Sequence, residues 1–408
     1  MYSKKFPFPV MWYWFLGNTL SDPIQQFEGD TKFMYINDEY VETGTPFTFK
    51  FGVNKLNFIE GTEFTEIGVN GGVWIRPVDK NGNDIPNSPL PRLTYFTKLK
   101  KLYFKHAGFS SGLANISMCT TLEHLTLSDL NDSFTDSFDN LKNLVNLKTL
   151  SLYDTPITGP VTCLQNMHKL EYLNVEGTHI RTKLDYYFNN MPNLRYIQSR
   201  GAWYGGGFNG GTLYGKFIDC PNLEVLKLPF TFLDGRIADL HNCKKLKYID
   251  LAHNDGLIGD LDNLSSLTEL EYVDVSRIWG PGHYEGGLSN VNGLKDLPKL
   301  THIDICGQHY VDHQLDFGDT MVNLEYLDCL RCSCYEEPLG LDKIEKLTYI
   351  NFNENNLDQE ALDNILQALV DSGIEDGSVY LEDNKEEPSD DGKDNADTLE
   401  DRGWDVRY

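Results

Sequence analysis

The chain has 408 residues, of which 40% are apolar and 12% aromatic, so it can bury a core and is not globally disordered. Its 61 acidic residues outnumber 35 basic ones, and the formal net charge is −26. Nucleic acids and anionic membranes bind basic surfaces, so neither is an expected partner. The charge favours solubility and a neutral or cationic partner, such as a carbohydrate or a protein.

The first 92 residues show no repeat and alternate β-forming runs with turn signals. The runs at 33–36, 47–51 and 72–75 are typical of strands, and 80–83 contains an Asn-Gly turn. We predict a β-rich N-terminal domain over residues 1–92. This domain either attaches the protein to other virion or surface proteins or only covers the first repeat.

The opening residues do not resemble an export signal. Lys4 and Lys5 precede an aromatic run over 6–15, but Pro7 and Pro9 interrupt it and no small-residue cleavage site follows. The run is also too short to span a bilayer. We therefore expect no membrane span and interpret this run as an ordered N-terminal segment docked on the protein or on a partner. The alternative is a degenerate export signal or an atypical anchor.

From residue 99 to residue 352 one pattern recurs eleven times: an apolar residue, two variable ones, an apolar residue, a variable one and an apolar residue. We number each repeat from its first apolar residue, so positions 1, 4 and 6 are anchors. Position 1 is occupied by Leu99, Leu122, Leu147, Leu170, Leu194, Leu223, Leu246, Leu270, Leu300, Leu324 and Leu347. A period in the low twenties with these anchors is the signature of leucine-rich repeats.

The repeats predict a leucine-rich repeat solenoid over residues 93–356. We expect a curved, parallel β ladder with a mostly non-helical convex side, in which neighbouring repeats bury a shared core. The segments 157–161, 233–237 and 257–261 each place a glycine between apolar residues. They predict a second short strand in those repeats.

Residues 357–408 predict a C-terminal cap. An amphipathic helix is indicated by the helical spacing of Leu362, Ile365, Leu366 and Leu369. A final strand is expected around Val379 and Leu381, followed by a polar stretch over 386–394. Trp404 and Val406 then predict an apolar lid over the last repeat.

The eight cysteines are predicted to be structural. Cys119, Cys220 and Cys243 each lie three residues before a first anchor and suit a buried turn. Cys329 replaces an anchor, whereas Cys332 and Cys334 are expected outside the core. A disulfide framework is unexpected in a chain with a large core, and no second cysteine pair recurs to complete a metal site. We expect no metal and no cofactor.

Candidate binding residues follow from the repeat geometry. Positions 3, 5, 7 and 8 face the concave side, and position 3 stacks tyrosines at the strand spacing of about 4.8 Å while position 5 stacks aspartates. The candidates on this face are Tyr172, Tyr196, Tyr248, Asp250, Tyr272, Asp274, Asp304, Tyr326 and Asp328. These columns either bind sugar rings or a basic peptide, or they only pair across strands and hydrogen-bond their neighbours.

Two longer repeats insert Gly-rich, aromatic loops directly after the strand. Such insertions in solenoids often lie on the binding face, and their composition resembles that of antibody loops. The candidates in these loops are Trp203, Tyr204, Phe208, Tyr214, Trp279, His283 and Tyr284. The alternative is that the loops only fill gaps against the convex side.

Catalytic motifs are absent from the sequence, including GxSxG, HExxH and the P-loop. His309 and His313 are four residues apart, but no helical pattern surrounds them, so we interpret their proximity as chance. We predict no enzymatic activity. An acidic pair of the glycosidase type is the remaining catalytic alternative.

The segment Leu-Glu-Tyr-Leu-Asp at 324–328 and the ending Leu-x-x-Arg-Gly-Trp-x-Val at 399–406 resemble leucine-rich repeat proteins of Bacteroidetes and of phages that infect them. The resemblance implies a surface or secreted recognition protein. We expect non-enzymatic adhesion to a surface glycan or protein, in a phage tail or other virion appendage for host attachment. The alternatives are a bacterial surface or secreted adhesin and a polysaccharide-acting enzyme.

Overall fold

The structure is a computed structural model. It describes backbone and side chains over 98–104, 109–130, 134–180, 191–200, 220–278, 288–308 and 314–408, together with Lys183, Phe188 and Phe208, and the backbone alone at residue 105. Between residues 12 and 77 and at 211–212 it describes only the backbone of strands. The chain divides into two compact units, one formed mainly by Met1–Lys183 and the other mainly by Gly210–Tyr408.

The first unit contains an antiparallel sheet with the strand order β4-β3-β5-β1-β7. A further antiparallel pair, β2 and β6, continues through β6 into the parallel strands β8–β11. The elements are β1 Trp12–Gly17, β2 Gln25–Gly29, β3 Phe33–Ile36, β4 Glu39–Glu42, β5 Gly52–Phe58, β6 Phe64–Val69, β7 Trp74–Pro77, β8 Lys101–Lys105, α1 Leu113–Ile116, β9 His124–Ser128, β10 Thr149–Ser151 and β11 Tyr172–Asn174. The N-terminal region is therefore rich in β-structure, as predicted, while the domain boundaries at 92 and 356 stay predictions.

The second unit is a parallel ladder with one short strand in each repeat. Its strands and helices are β12 Tyr196–Gln198, β13 Gly211–Thr212, β14 Val225–Lys227, β15 Leu233–Arg236, β16 Tyr248–Asp250, β17 Gly256–Asp260, β18 Tyr272–Asp274, β19 Leu288–Ser289, β20 His302–Asp304, β21 Tyr326–Asp328, β22 Tyr349–Asn351, α2 Gln359–Ser372, β23 Ser378–Tyr380, α3 Asp390–Asp401 and β24 Asp405–Arg407. Residue 198 of β12 groups with the first unit.

The core consists of the repeat anchors. All eleven leucines at position 1 are 0% exposed, and the position-4 residues pair with one another from strand to strand, as in Leu226 with Ile249 and Ile249 with Val273. No single repeat can bury three anchors alone, so this burial requires the stacked neighbours. The predicted parallel ladder is confirmed.

The second short strands form a small parallel sheet of their own, with the order β13-β15-β17-β19. Gly235 and Gly259 have φ values of +104° and +115°, a conformation that side chains rarely adopt. The glycines at the centre of the 233–237 and 257–261 segments therefore mark strands, as the sequence indicated. The strand predicted over 157–161 was wrong, because only an isolated bridge between Thr158 and Ser137 forms there.

In several repeats position 9 carries a buried polar side chain that hydrogen-bonds to the neighbouring repeat. In Asn254, Nδ2 donates to the carbonyls of Leu228 and Leu251, both at 2.8 Å. Its Oδ1 accepts the N–H groups of Thr231 at 3.1 Å and Leu233 at 2.9 Å. The amide thus pairs backbone groups that the turns would otherwise leave unsatisfied, and Asn355 makes an equivalent set of bonds in a later repeat.

Position 8 is a left-handed turn in repeat after repeat. Its φ lies between +48° and +76° at Asp129, Asp154, Gly177, Phe230, His253, Arg277, Gly307, Arg331 and Glu354. Most of these residues are not glycine. Their side chains also contact one another: the Phe230 and His253 rings stack at 3.9 Å, and Arg331 pairs with Glu354.

The C-terminal cap is only partly as predicted. Helix α2 begins at the N-cap Asp358, ends at the left-handed Gly373, and buries the four predicted apolar residues. The expectation of a final strand around Val379 was wrong, because β24 follows it, and a second helix, α3, which the sequence analysis did not predict, begins inside the polar stretch. Trp404 is 4% exposed, its Nε1 donates to the Ile374 carbonyl, and it forms the expected lid.

All eight cysteines are buried and none forms a disulfide. The prediction that Cys332 and Cys334 lie outside the core was wrong, since they are 0% and 1% exposed. Cys332 occupies position 9 of its repeat, where its thiol donates to the Ile305 carbonyl at 3.0 Å. The backbone N–H groups of Cys332 and Cys334 both donate to Asn355 Oδ1. These two bonds hold the turn that contains both cysteines inside the core.

We expect the thiols to be unreactive in the folded protein. Burial raises the pKa of Cys119 to about 11 and the pKa values of Cys163 and Cys243 to about 12, and the thiolate is the reactive form. Titration with Ellman's reagent should therefore label far fewer than eight thiols under native conditions and all eight in denaturant. Rapid native labelling of several thiols would contradict this burial.

None of the helices in the described part of the chain combines the length and the apolar character that crossing a bilayer requires.

Candidate ligand-binding face

Positions 3 and 5 of β16, β18, β20, β21 and β22 form one surface of the second unit, which we call the ladder face. Position 3 contributes a continuous stack of five rings: Tyr248, Tyr272, His302, Tyr326 and Tyr349. Successive ring centroids are 4.0–4.3 Å apart and the planes are within 9° of parallel. The parallel register of the strands imposes this order, because each ring lies directly opposite the next.

The two ends of the stack are also occupied. Lys227 Nζ lies 4.3 Å from the centroid of Tyr248, and the Tyr380 ring meets Tyr349 edge-on at 5.7 Å. The faces of the rings therefore pack against one another and against these two neighbours. A ligand that approaches the ladder face meets ring edges and hydroxyl groups.

The polar groups of the stack are neutral near pH 7. Burial raises the pKa of Tyr248, Tyr272, Tyr326 and Tyr349, so these phenols stay protonated. Burial also lowers the pKa of His302, although the Asp274 charge opposes this. The column consequently offers hydroxyl and imidazole groups without a positive charge.

Position 5 contributes a row of carboxylates beside the rings. Asp250, Asp274, Asp304 and Asp328 lie directly opposite one another in successive strands. In each, Oδ1 accepts the N–H of the residue two positions later, at 2.9–3.3 Å. These bonds stabilise the turn that ends each strand. The Oδ1 atom of each aspartate therefore has a structural role, hydrogen bonding to its neighbours, which was the alternative to ligand binding.

The centre of this row places buried carboxyl groups close to one another. Burial, Asp274 and Asp328 raise the pKa of Asp304 to about 7, although Arg277 opposes them. Burial likewise raises the pKa of Asp328, which is 8% exposed. Asp250 differs because the strand register places Lys227 opposite it.

One donor set on this face has the composition of a metal site. Ligand atoms of Asp304, Cys306 and Asp328 lie within 4.8 Å of one another. The Cys306 thiol interacts with the Arg277 guanidinium, and burial raises its pKa to about 12. A metal ion would have to displace both the guanidinium and the thiol proton, so we assign no metal to this set.

The predicted concave residues lie where the repeats place them. Tyr248, Asp250, Tyr272, Asp274, Asp304, Tyr326 and Asp328 are on the ladder face. Tyr172 is half-buried in β11 of the first unit, opposite Thr149, and Tyr196 is half-buried in β12. Whether any of these residues contacts a ligand stays a prediction.

The loop candidates lie almost wholly outside the described residues; these are Trp203, Tyr204, Tyr214, Trp279, His283 and Tyr284. Phe208 is described, and its ring lies in the core rather than on an exposed surface. Its side chain is 0% exposed and its N–H donates to Ser199 Oγ at 2.9 Å. Whether this loop contacts a ligand stays a prediction.

Several contributors to the face were not among the predicted site residues. His302 and Tyr349 complete the ring stack, and Lys227 covers its end. The spacing of position 3 was sufficient to find the two rings. The role of Lys227 depends on side-chain direction, which spacing does not reveal.

Comparison with solved structures shows the same architecture in proteins of distant sequence. The ectodomain of the Arabidopsis thaliana receptor kinase GASSHO1/SCHENGEN3, solved with CASPARIAN STRIP INTEGRITY FACTOR 2, matches with a TM-score of 0.62 and 19% identity, over 80% of this chain and 39% of that one. A leucine-rich repeat protein of Leptospira interrogans matches with a TM-score of 0.53 and 14% identity, over 80% and 82%. The fold is a leucine-rich repeat ladder.

Sequence comparison gives weaker matches. No protein-family model matches the chain. The CD180 antigen of Mus musculus is 26% identical over 271 residues, which is 64% of this chain and 38% of the relative. Receptor-like protein 41 of Arabidopsis thaliana is 27% identical over 48% of this chain and 21% of its own length. The chain thus spans between about a fifth and two fifths of the curated relatives that it matches.

Proposed function

We propose that this protein is a non-enzymatic recognition protein that binds a protein or peptide ligand on the ladder face. The observation that carries the proposal is the five-ring stack beside a row of carboxylates, all on one surface and all at strand spacing. Side chains held in a fixed order present a preorganised surface, which lowers the entropic cost of binding. The receptor ectodomain solved with a partner factor supports this use of the fold by analogy.

A surface glycan is the second expected ligand, and the ring geometry favours protein over it. Sugars bind aromatic residues mainly by stacking on an open ring face, whereas here each inner ring has a neighbour within 4.3 Å on both sides. The edges and hydroxyl groups suit hydrogen bonding to polar side chains or to an extended backbone. Sugar stacking would require the rings to separate.

Asp328 does not fit the role of a catalytic carboxylate in a polysaccharide-acting enzyme. A glycosidase needs one free carboxylate and one carboxylic acid on either side of the scissile bond. In Asp328, Oδ1 accepts the Leu330 N–H, and Oδ2 accepts Asn351 Nδ2 at 3.2 Å and the Tyr326 hydroxyl at 3.4 Å. Both oxygens are thus engaged in hydrogen bonds that end a strand and tie it to the next.

For the biological setting we keep two proposals, a phage tail or virion appendage and a bacterial surface or secreted adhesin. Both rest on the resemblance of the repeats and of the 399–406 ending to proteins of Bacteroidetes and their phages. Proteomic analysis of purified virions and of washed host cells distinguishes them. Detection in the virion supports the first setting, and detection only on cells supports the second.

Selection from a random peptide display library tests the proposed function, because it does not require the natural ligand to be identified. We expect binders whose affinity falls about tenfold or more when Asp274 and Tyr272 are changed to Asn and Phe, because both groups lie on the ladder face. The matched control replaces Glu336 and Glu345, which are exposed in the connections outside the ladder strands, by Gln. Binders that are insensitive to the first pair, or equally sensitive to the control, would contradict the proposal.

A further inference from the structure

We propose that the ladder face selects an extended polypeptide segment with arginine or lysine side chains, which bind across Asp274 and Asp304. This inference rests on the proposed function and specifies its ligand. The face is the open side of a parallel sheet, and the occupant is inferred from charge complementarity together with the geometry of the ring stack.

The first step concerns the carboxylate oxygens. The backbone N–H bonds to Oδ1 fix the orientation of Asp274 and Asp304, at 3.0 Å in both residues. Within the described part of the chain, no hydrogen bond is found for Oδ2 of either side chain. The row therefore has oriented acceptors that a ligand can use, and charged acceptors form hydrogen bonds about twice as strong with cationic donors as neutral pairs do.

The second step concerns charge balance. Three carboxylates lie in three consecutive strands, and Arg277 is the cation that acts on the central one. Burial raises the pKa of Asp304, the charges of Asp274 and Asp328 raise it further, and Arg277 acts against them. A cationic side chain from a ligand would relieve the repulsion and bring net favourable electrostatic energy to the interface.

The third step concerns the neighbouring rings. Because their faces are stacked, the tyrosines contribute oxygen atoms and edges alongside the carboxylates. The phenol oxygens can accept further N–H donors from the same guanidinium or from the ligand backbone. A neutral sugar would leave the carboxylate repulsion unrelieved, and an acidic peptide would increase it.

The fourth step concerns dimensions. Neighbouring strands are about 4.8 Å apart, so Asp274 and Asp304 are separated by roughly 5 Å. A guanidinium can bridge the two carboxylates, and side chains at alternate positions of an extended segment recur after about 7 Å. An extended segment therefore places one or two basic side chains on the row. The net charge of −26 would also accelerate encounter with such a ligand at low salt.

The test uses two synthetic glycine–serine peptides that differ only at alternate positions, one with arginine and one with its neutral isostere citrulline. Calorimetric titration of the full chain at low salt and about pH 8 should give at least about tenfold tighter binding of the arginine peptide. In the D274N/D304N variant this preference should fall about tenfold, whereas in the E336Q/E345Q control it should stay within about twofold. The control removes the same number of charges, so it measures non-specific attraction to an acidic protein.

Equal binding of the two peptides, or an equal loss in the variant and the control, would overturn the inference. The proposed function is judged separately by the display selection. Uncharged binders that compete on the ladder face would sustain the recognition function and refute the basic ligand. Absence of any binder on this face would refute both. Circular dichroism of each variant checks that folding is retained.

Discussion

Asp304→Asn is expected to raise the free energy of unfolding by about 2 to 4 kcal/mol at about pH 8. In the folded chain the Asp304 carboxylate is buried between Asp274 and Asp328, and its pKa is raised from 3.8 to about 7. An asparagine removes the charge, and its amide oxygen can still accept the Cys306 N–H that Oδ1 now accepts at 3.0 Å. The measurement is chemical denaturation of both proteins.

The sign of the pH dependence follows from the direction of the shift. The folded state holds the Asp304 proton more tightly than the unfolded state, so this group lowers stability as pH rises from about 4 to about 7 and has no further effect above. The variant should therefore match the wild type near pH 4 and exceed it progressively up to neutrality. The groups that face Asp304 are Asp274, Tyr272, Arg277, His302, Cys306, Tyr326 and Asp328.

A matched control is Glu336→Gln, which removes an exposed carboxylate outside the ladder strands. Its unfolding free energy should change by less than about 0.5 kcal/mol across this pH range. If Asp304→Asn destabilised the protein at about pH 8, the carboxylate would have a compensating partner, and both the charge argument and the basic ligand would lose their support.

Asn254→Ala is expected to lower the free energy of unfolding by about 4 kcal/mol. The side chain is 0% exposed and pairs five backbone groups, three carbonyls through Nδ2 and two N–H groups through Oδ1. The Leu228 and Ala252 carbonyls keep the Thr231 hydroxyl and the Phe230 N–H as partners. Alanine leaves the Leu251 carbonyl and the two N–H groups without partners in a space that water does not reach, and each such group costs about 1 kcal/mol or more. Urea denaturation followed by circular dichroism measures the loss.

Asn263→Ala provides the comparison for this substitution. Asn263 is exposed, and its Nδ2 donates to a single carbonyl, that of Asp260, at 2.8 Å. Water can replace that partner, so we expect a change of less than about 1 kcal/mol. Similar losses for the two variants would mean that the buried amide does not fasten neighbouring repeats.

The ladder could be predicted from the sequence because its cause is periodic. Three apolar anchors in each period of about two dozen residues can be buried only by stacking, and the eleven leucines from Leu99 to Leu347 are all buried. Helix α2 was predictable for the same reason, since four apolar residues share one face. Helix α3 was not, because its buried face consists of Gly392, Ala396 and Leu399, which give little periodic signal.

The sequence predicted which residues lie on the ladder face, but it did not predict how their side chains are arranged. Spacing places Tyr272 and Tyr326 in one column, yet it does not determine whether their rings face a ligand or one another. The structure turns them onto His302, which lies between them at 4.1 and 4.0 Å. Phe208 is a second example, because the composition of a loop does not reveal which of its aromatic rings is buried in the core.

The left-handed turn at position 8 has a consequence for how this scaffold can diversify. An ordinary residue in that conformation costs roughly 1 kcal/mol relative to glycine, and the chain accepts this cost at Arg277, Arg331 and Glu354. The backbone already tolerates aromatic, basic and acidic side chains at position 8, so this position can be substituted in one repeat after another without changing the core. Replacing single position-8 residues by glycine would raise the free energy of unfolding and so offset the cost of such substitutions elsewhere.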